Sequence, residues 1–213
     1  VKQGDFEPIV QLVAPVKLQV AVVNGAFKPN KKTAIEFEFA TSKNDLNLYS
    51  ALEDENNVGV AGQLSIANEV LKTAQNWSLN IATDIDYVQT DFRSIERLYQ
   101  PEFNRDWNVE TPSGNQTLSS LGDQIFTTAS IRYSHPEKGA LNYQFQHLNY
   151  SEAFQGNRHL FSATLNFDRF QFSSKSSVLD TDGSVSSSVF YRSDNRLKYS
   201  YQKGWSGVKF STE

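Results

Sequence analysis

The 213-residue chain contains no cysteine and no methionine. The first absence removes disulfide frameworks, thiolate metal sites and cysteine nucleophiles together. The second leads us to expect a processed product or a segment of a longer chain. Long apolar runs are missing too: none approaches the ~18 residues of a membrane-spanning helix, so any membrane contact would be made by strands. An excess of positive charge is also lacking. Twenty Lys and Arg stand against 24 Asp and Glu, giving a net charge of −4 and a pI near 5.5. A nucleic-acid partner would normally be met by a basic stripe, and here the basic residues are scattered, so no nucleic-acid partner is expected. Apolar residues make up only 38% of the chain, with a mean hydropathy of −0.50. That is too little for a parallel sheet buried on both faces, which needs long Val/Ile/Leu runs.

What the chain has instead is alternation. Leu141, Tyr143 and Phe145 interleave with Asn142, Gln144 and Gln146, and Phe161, Ala163, Leu165 and Phe167 with Ser162, Thr164 and Asn166. Val185, Ser187, Val189 and Tyr191 interleave with Ser186, Ser188 and Arg192. A period of two marks strands with one dry and one wet face. Turn formers rather than helices separate the runs, so neighbouring strands are expected to pair antiparallel in a meander. One all-β domain over residues 1–213 is the expected organisation.

Near the N-terminus, Val16 to Val22 and Ile35 to Phe39 read as strands. The polar, acidic stretch 42–59 follows as a loop, and VAGQLSIANEVLKTAQ reads as a strand running into one or two helical turns. From Trp77 to Phe92 a long strand is expected, with Leu79, Ile81, Thr83, Ile85 and Tyr87 on one face and Asn80, Ala82, Asp84, Asp86 and Val88 on the other. Residues 93–124 show no sustained period. At about 30 residues this is a functional loop or a packed insert rather than a plain turn. From Ile125 onward hairpins are expected, with turns at HPEKG, SEAFQGN, Asp168–Arg169, the DTDG of 180–183 and the SDN of 193–195.

The motifs SKNDLNLYSALEDENNVG, ERLYQPEFNRDWN and YQFQHLNYSEAFQGNRH resemble segments of the very large outer-membrane or cell-surface β proteins of Bacteroidetes. The resemblance covers most of the chain. It implies an envelope location and a β architecture, and adds no catalytic residue.

Candidate chemistry is sparse. His135, His147 and His159 are spaced by twelve, but His135 precedes Pro136, which leaves two neighbours where zinc needs three or four ligands; no metal site is assigned. Asp45, Glu53, Asp54 and Glu55, with Asn44, Asn47, Asn56 and Asn57, offer oxygens to calcium without EF-hand spacing; a solvated acidic loop is the default. Asp84 and Asp86 share one strand face and could bind a sugar or cation, yet nothing supplies an opposing acid for glycoside hydrolysis. No G-x-S-x-G elbow anchors a serine hydrolase. Tyr99, Phe103 and Trp107 in the long excursion could stack on a glycan, or cap the end of the sheet. No cofactor is indicated.

Two architectures use this alternation. An outer-membrane β-barrel puts the apolar face on lipid and the polar face inward, whereas a soluble β-sandwich packs two apolar faces together. Lys175, Lys198 and several serines among the strand positions speak against lipid contact. The long Trp77 strand, the aromatic content and the acidic composition speak for it. The expectation is a non-enzymatic barrel or barrel segment of the bacterial outer membrane or cell surface. Its role would be structural, in transport or in surface assembly, and its partners lipid or other envelope proteins. The alternative is a soluble carbohydrate-binding or adhesion sandwich, with a glycan as its partner.

Overall fold

The computed structural model describes residues 14–50, 57–109, 121–151, 153–184 and 186–212. Ten strands follow one another: β1 (Lys17–Asn30), β2 (Thr33–Asp45), β3 (Val58–Lys72), β4 (Ser78–Val88), β5 (Gln124–His135), β6 (Gly139–Tyr150), β7 (Phe154–Phe167), β8 (Phe170–Gly183), β9 (Ser187–Tyr201) and β10 (Gly204–Thr212). Each pairs antiparallel with its neighbours in sequence, in a single sheet ordered β1 to β10. The all-β meander expected from the alternation is what forms. The sheet is open, with β1 and β10 as edges, so the described residues do not close into a barrel; nor do they contain a second sheet to make a sandwich.

Several local expectations are corrected. The helical turns expected after VAGQLSI do not form, and β3 runs as a strand to Lys72. Asn68 is held there by its Nδ2 donating to Thr33 Oγ1 at 2.7 Å, and a bulge between Glu69 and Leu71 absorbs the change of period. β4 is shorter than expected, ending at Val88 because the Gln89 N–H bonds back to Val60 O and Thr90 to Asp91 turn away. The SEAFQGN loop shrinks to 151–153, and Phe154 to Asn157 join β7. DTDG and SDN are not turns at all. Both lie inside strands, and the reversals fall at 184–186 and 202–203. Of the acidic loop, Glu53, Asp54, Glu55 and Asn56 lie outside the described residues, as does Val185.

Connections at the two ends of the strands differ. At one end five turns of two to five residues join the hairpins (31–32, 73–77, 136–138, 168–169, 202–203). The other end carries the long connections 46–57 and 89–123 beside the short 151–153 and 184–186. The described part of the 89–123 connection folds back as an insert and holds one short helix, α1 (Phe103–Asp106). Its Trp107 and Val109 bury with Leu148, Tyr150, Phe154 and Leu179 in the larger core cluster. Phe92 anchors a smaller one with Ala40 and Ala61.

Candidate functional site

Register decides which side chains share a face. The row Glu38, Gln63, Asp86, Phe126, Leu148, Gly156, Thr181, Ser188 runs across β2 to β9 on one face. The next row on that face reads Glu36, Ser65, Asp84, Thr128, Gln146, Arg158, Leu179, Phe190. This is the polar face, and the insert lies across its long-loop end. The Arg93 N–H donates to Ser42 Oγ on β2 at 2.9 Å, and Asn108 Nδ2 donates to Ser188 Oγ on β9 at 3.1 Å, so the insert reaches from one flank to the other.

The opposite face is apolar and bare. Val23, Phe37, Phe39, Leu64, Ile85, Ile131, Tyr143, Phe161, Leu197 and Phe210 are all exposed there. Among the described strand residues, the Lys, Arg, Asp and Glu that register assigns to this face are Lys17, Lys43, Asp45, Asp180 and Asp182, and all five sit toward the long-loop ends of their strands. Lys175 and Lys198, which counted against lipid contact in the sequence, are on the polar face. Ser174, Ser176 and Ser193, the mid-strand serines on the apolar side of β8 and β9, are recessed and satisfied. Ser174 Oγ donates to Asn195 Oδ1 at 2.7 Å, Asn195 Nδ2 donates to Ser193 Oγ at 2.7 Å, and the Ser176 and Ser193 hydroxyls meet at 3.0 Å.

Aromatic rings fringe the apolar face at the short-turn end. Trp77 stacks on Tyr133 at 4.6 Å, Phe170 lies 4.8 Å from Tyr199, and Tyr199 lies 6.3 Å from Tyr201.

The candidate ligand-binding residues Asp84, Asp86, Tyr99, Phe103 and Trp107 all lie on the polar side. Asp84 accepts from Ser65 Oγ at 2.5 Å, and Asp86 flanks Gln63 on the neighbouring strand. With Glu36 and Glu38 of β2 they form one acidic wall, side by side rather than opposed. Tyr99 stacks on Phe103 at 4.3 Å, and both rings meet the edge of Phe126. Trp107 is 1% exposed: the Arg158 guanidinium covers its ring at 4.2 Å, and the Arg158 head also bonds Asp106 O. Tyr99 and Phe103 border a cavity of about 710 Å³ with Arg93, Arg97, Gln124 and Tyr150. Burial pushes the Tyr99 hydroxyl up from its ordinary pKa, with the Asp86 charge adding to the effect, so it stays a neutral donor. Gln124 also lines this cavity, beside the Tyr99 hydroxyl.

His147 and His159 meet only diagonally across β6 and β7, His135 lies apart at the end of β5, and each is engaged. His147 Nδ1 meets Asn157 Oδ1 at 2.9 Å, His159 Nδ1 meets the Tyr143 hydroxyl at 2.8 Å, and His135 Nδ1 accepts from the Glu137 and Lys138 N–H groups. The described part of the acidic loop is a set of Asx turns: Asp45 Oδ1 accepts from Asn47 N–H, and Asn47 Oδ1 from Tyr49 N–H.

Sequence reasoning did not single out Glu36, Glu38 or Arg158. The first two were visible as the polar half of the Ile35–Phe39 alternation. Arg158 was not, because its role depends on an insert some 50 residues away in sequence. Comparison of the chain with protein-family models, with curated proteins and with solved structures found no match.

Proposed function

We propose that the ten strands are wall segments of a bacterial outer-membrane β-barrel with a structural, transport or surface-assembly role rather than a catalytic one. The apolar face meets lipid and the polar face meets water. The Bacteroidetes-like motifs support an envelope location of the cell-surface kind.

One observation carries the reading: the apolar band crosses the strands on a slant. On β2 it centres on Phe37, flanked by Ile35 and Phe39. Along the register that row reaches Asn157 on β7, between His147 and Asp180, all polar. The band on β7, Phe161 to Phe167, lies about seven residues nearer the short-turn end. Seven residues at ~3.3 Å against five strand spacings at ~4.8 Å is a slope of about 45°. Strands that cross a hydrocarbon slab are tilted by ~35–45°, so a level lipid band would trace this diagonal over the register.

The aromatic fringe and the contrast between short turns and long loops fit the same picture. Unpaired edge groups are costly in hydrocarbon, so β1 and β10 would pair there, with each other or with further strands.

Expression of residues 1–213 without detergent, followed by size-exclusion chromatography and a circular-dichroism melt, tests the proposal. Aggregation in buffer that detergent or lipid converts to a heat-resistant β signal, with a heat-dependent gel shift, is expected. A monomeric peak with a cooperative melt in buffer would overturn it and favour a soluble glycan-binding module built on the Tyr99 cavity.

A further inference from the structure

Opposite charges are sorted to opposite flanks of the polar face, at one depth. On the β2–β4 flank stand Glu36, Glu38, Asp84 and Asp86. In sequence they bracket Phe37 and Ile85, which share the row that meets the centre of the apolar band on β2, so the four carboxylates lie behind the band on that flank. On the β8–β10 flank stand Lys175, Arg196, Lys198 and Lys209. Arg196 and Lys198 bracket Leu197, and Lys209 lies between Val208 and Phe210, all three of them exposed residues of the band. Asp194 offsets part of this flank, with Arg196 Nε at 3.2 Å and Lys209 Nζ at 3.0 Å. Between the flanks the same face carries mostly small or neutral side chains such as Ser130, Gln144 and Ser162, with Arg132 on β5 and Arg158 on β7 as the two charges there.

We infer that this face is the wall of a water-filled passage whose two sides set up a transverse field, and that the passage favours small zwitterionic solutes. The inference rests on the barrel reading, because curling the sheet is what turns opposite flanks into facing walls. A lone cation or anion is attracted by one wall and repelled by the other. A solute carrying an ammonium and a carboxylate aligns across the gap and is stabilised by both. The insert crosses only the long-loop end. Cavities of about 710 Å³ remain on either side of it, one at Tyr99 and one between Arg158 and Arg192.

The test uses the chain reconstituted in liposomes, with swelling rates for glycine compared with glycerol and with cation-to-anion permeability ratios in potassium chloride. Insertion is checked separately by the heat-dependent gel shift. One variant combines Glu36→Gln, Glu38→Gln, Asp84→Asn and Asp86→Asn; the other combines Arg196→Gln, Lys198→Gln and Lys209→Gln. The wild type is expected to pass glycine faster than glycerol, and each variant to lose that preference. Their permeability ratios should move in opposite directions, by roughly threefold, toward anions for the first and toward cations for the second. If either combined variant fails to fold, the exposed single changes Glu36→Gln and Lys209→Gln should give smaller shifts of the same signs. Inserted protein that gives no flux, or identical ratios in all forms, overturns the inference and leaves the lipid reading standing. Failure to insert overturns both, and the gel shift tells the two apart.

Discussion

Trp107 shows how a single side chain fixes the insert. Its ring is closed on one side by Arg158 and approached edge-on by Phe126 at 5.8 Å, and its neighbours in the cluster come from β6, β7 and β8. Gly156 beneath it leaves little room for a side chain, since a Cβ there would stand 3.0 Å from the indole and 3.1 Å from the Phe154 ring, so that one of the rings would have to give. At the other end of the insert Gly59 is far more tightly constrained, because a Cβ would fall 2.1 Å from the Phe92 nitrogen, which is backbone and cannot swing away. Trp107→Ala removes a fully buried aromatic, a change that typically costs ~3–5 kcal/mol. The cost should fall on the insert and not on the strand ladder, which does not need the indole. Trypsin is therefore expected to cut the variant faster at Arg93, Arg97 or Arg105 while the far-ultraviolet β signal is kept. Equal cleavage of variant and wild type would mean that the insert is held elsewhere.

Strands β8 and β9 are where local sequence misleads, and the reason lies in cross-strand chemistry. Asp180 to Gly183 and Ser193 to Asn195 have the composition of tight turns, because Asp, Asn and Ser can bond their own backbone. Here they bond the neighbouring strand instead. Thr181 Oγ1 meets Ser188 Oγ at 2.7 Å, Ser187 Oγ donates to Asp182 Oδ1 at 2.6 Å, and Asn195 lies opposite Ser174. The chain has no cysteine, so the register can be locked without competing thiols. Ser174→Cys with Asn195→Cys should form a disulfide on mild oxidation, since directly opposed residues bring their Cβ atoms to ~4.5–5.5 Å. Ser174→Cys with Ser193→Cys should cross-link far less. If SDN were a turn, the first pair would not be favoured over the second. What was legible was everything a period of two can state: the class, the meander, the two faces of β4 and the placing of Asp84 and Asp86 together. The strand ends of β3, β8 and β9 were not legible, because polar pairs across the ladder and a bulge decide them, and both depend on residues distant in sequence. The same holds for the site. The acidic wall could be read one strand at a time, but that it shares a face with Arg196 and Lys209 on the other flank is known only once the register is known.

On the scale of the whole molecule, register and depth are different coordinates, and they make different demands on the same residues. Phe37 and Asn157 belong to one row of the apolar face. If the band is level in a membrane, Phe37 lies at its centre, whereas Asn157 lies ~23 Å along the strand from the centre of the β7 band and hence outside the hydrocarbon. Arginine on the lipid face of a barrel costs ~2–4 kcal/mol at the midplane and ~0–1 kcal/mol near the interfaces. Phe37→Arg is therefore expected to lower stability in lipid by a few kcal/mol, and Asn157→Arg by less than about 1 kcal/mol. Phe161→Arg, in another row but nearer the band centre, should behave like Phe37→Arg. Equilibrium unfolding in lipid vesicles over a denaturant series measures all three. If the apolar face were instead covered by a second sheet laid along the register, row-mates would face the same partner and Asn157→Arg would weaken the fold as much as Phe37→Arg. The slant predicts that the cost follows depth and ignores the row.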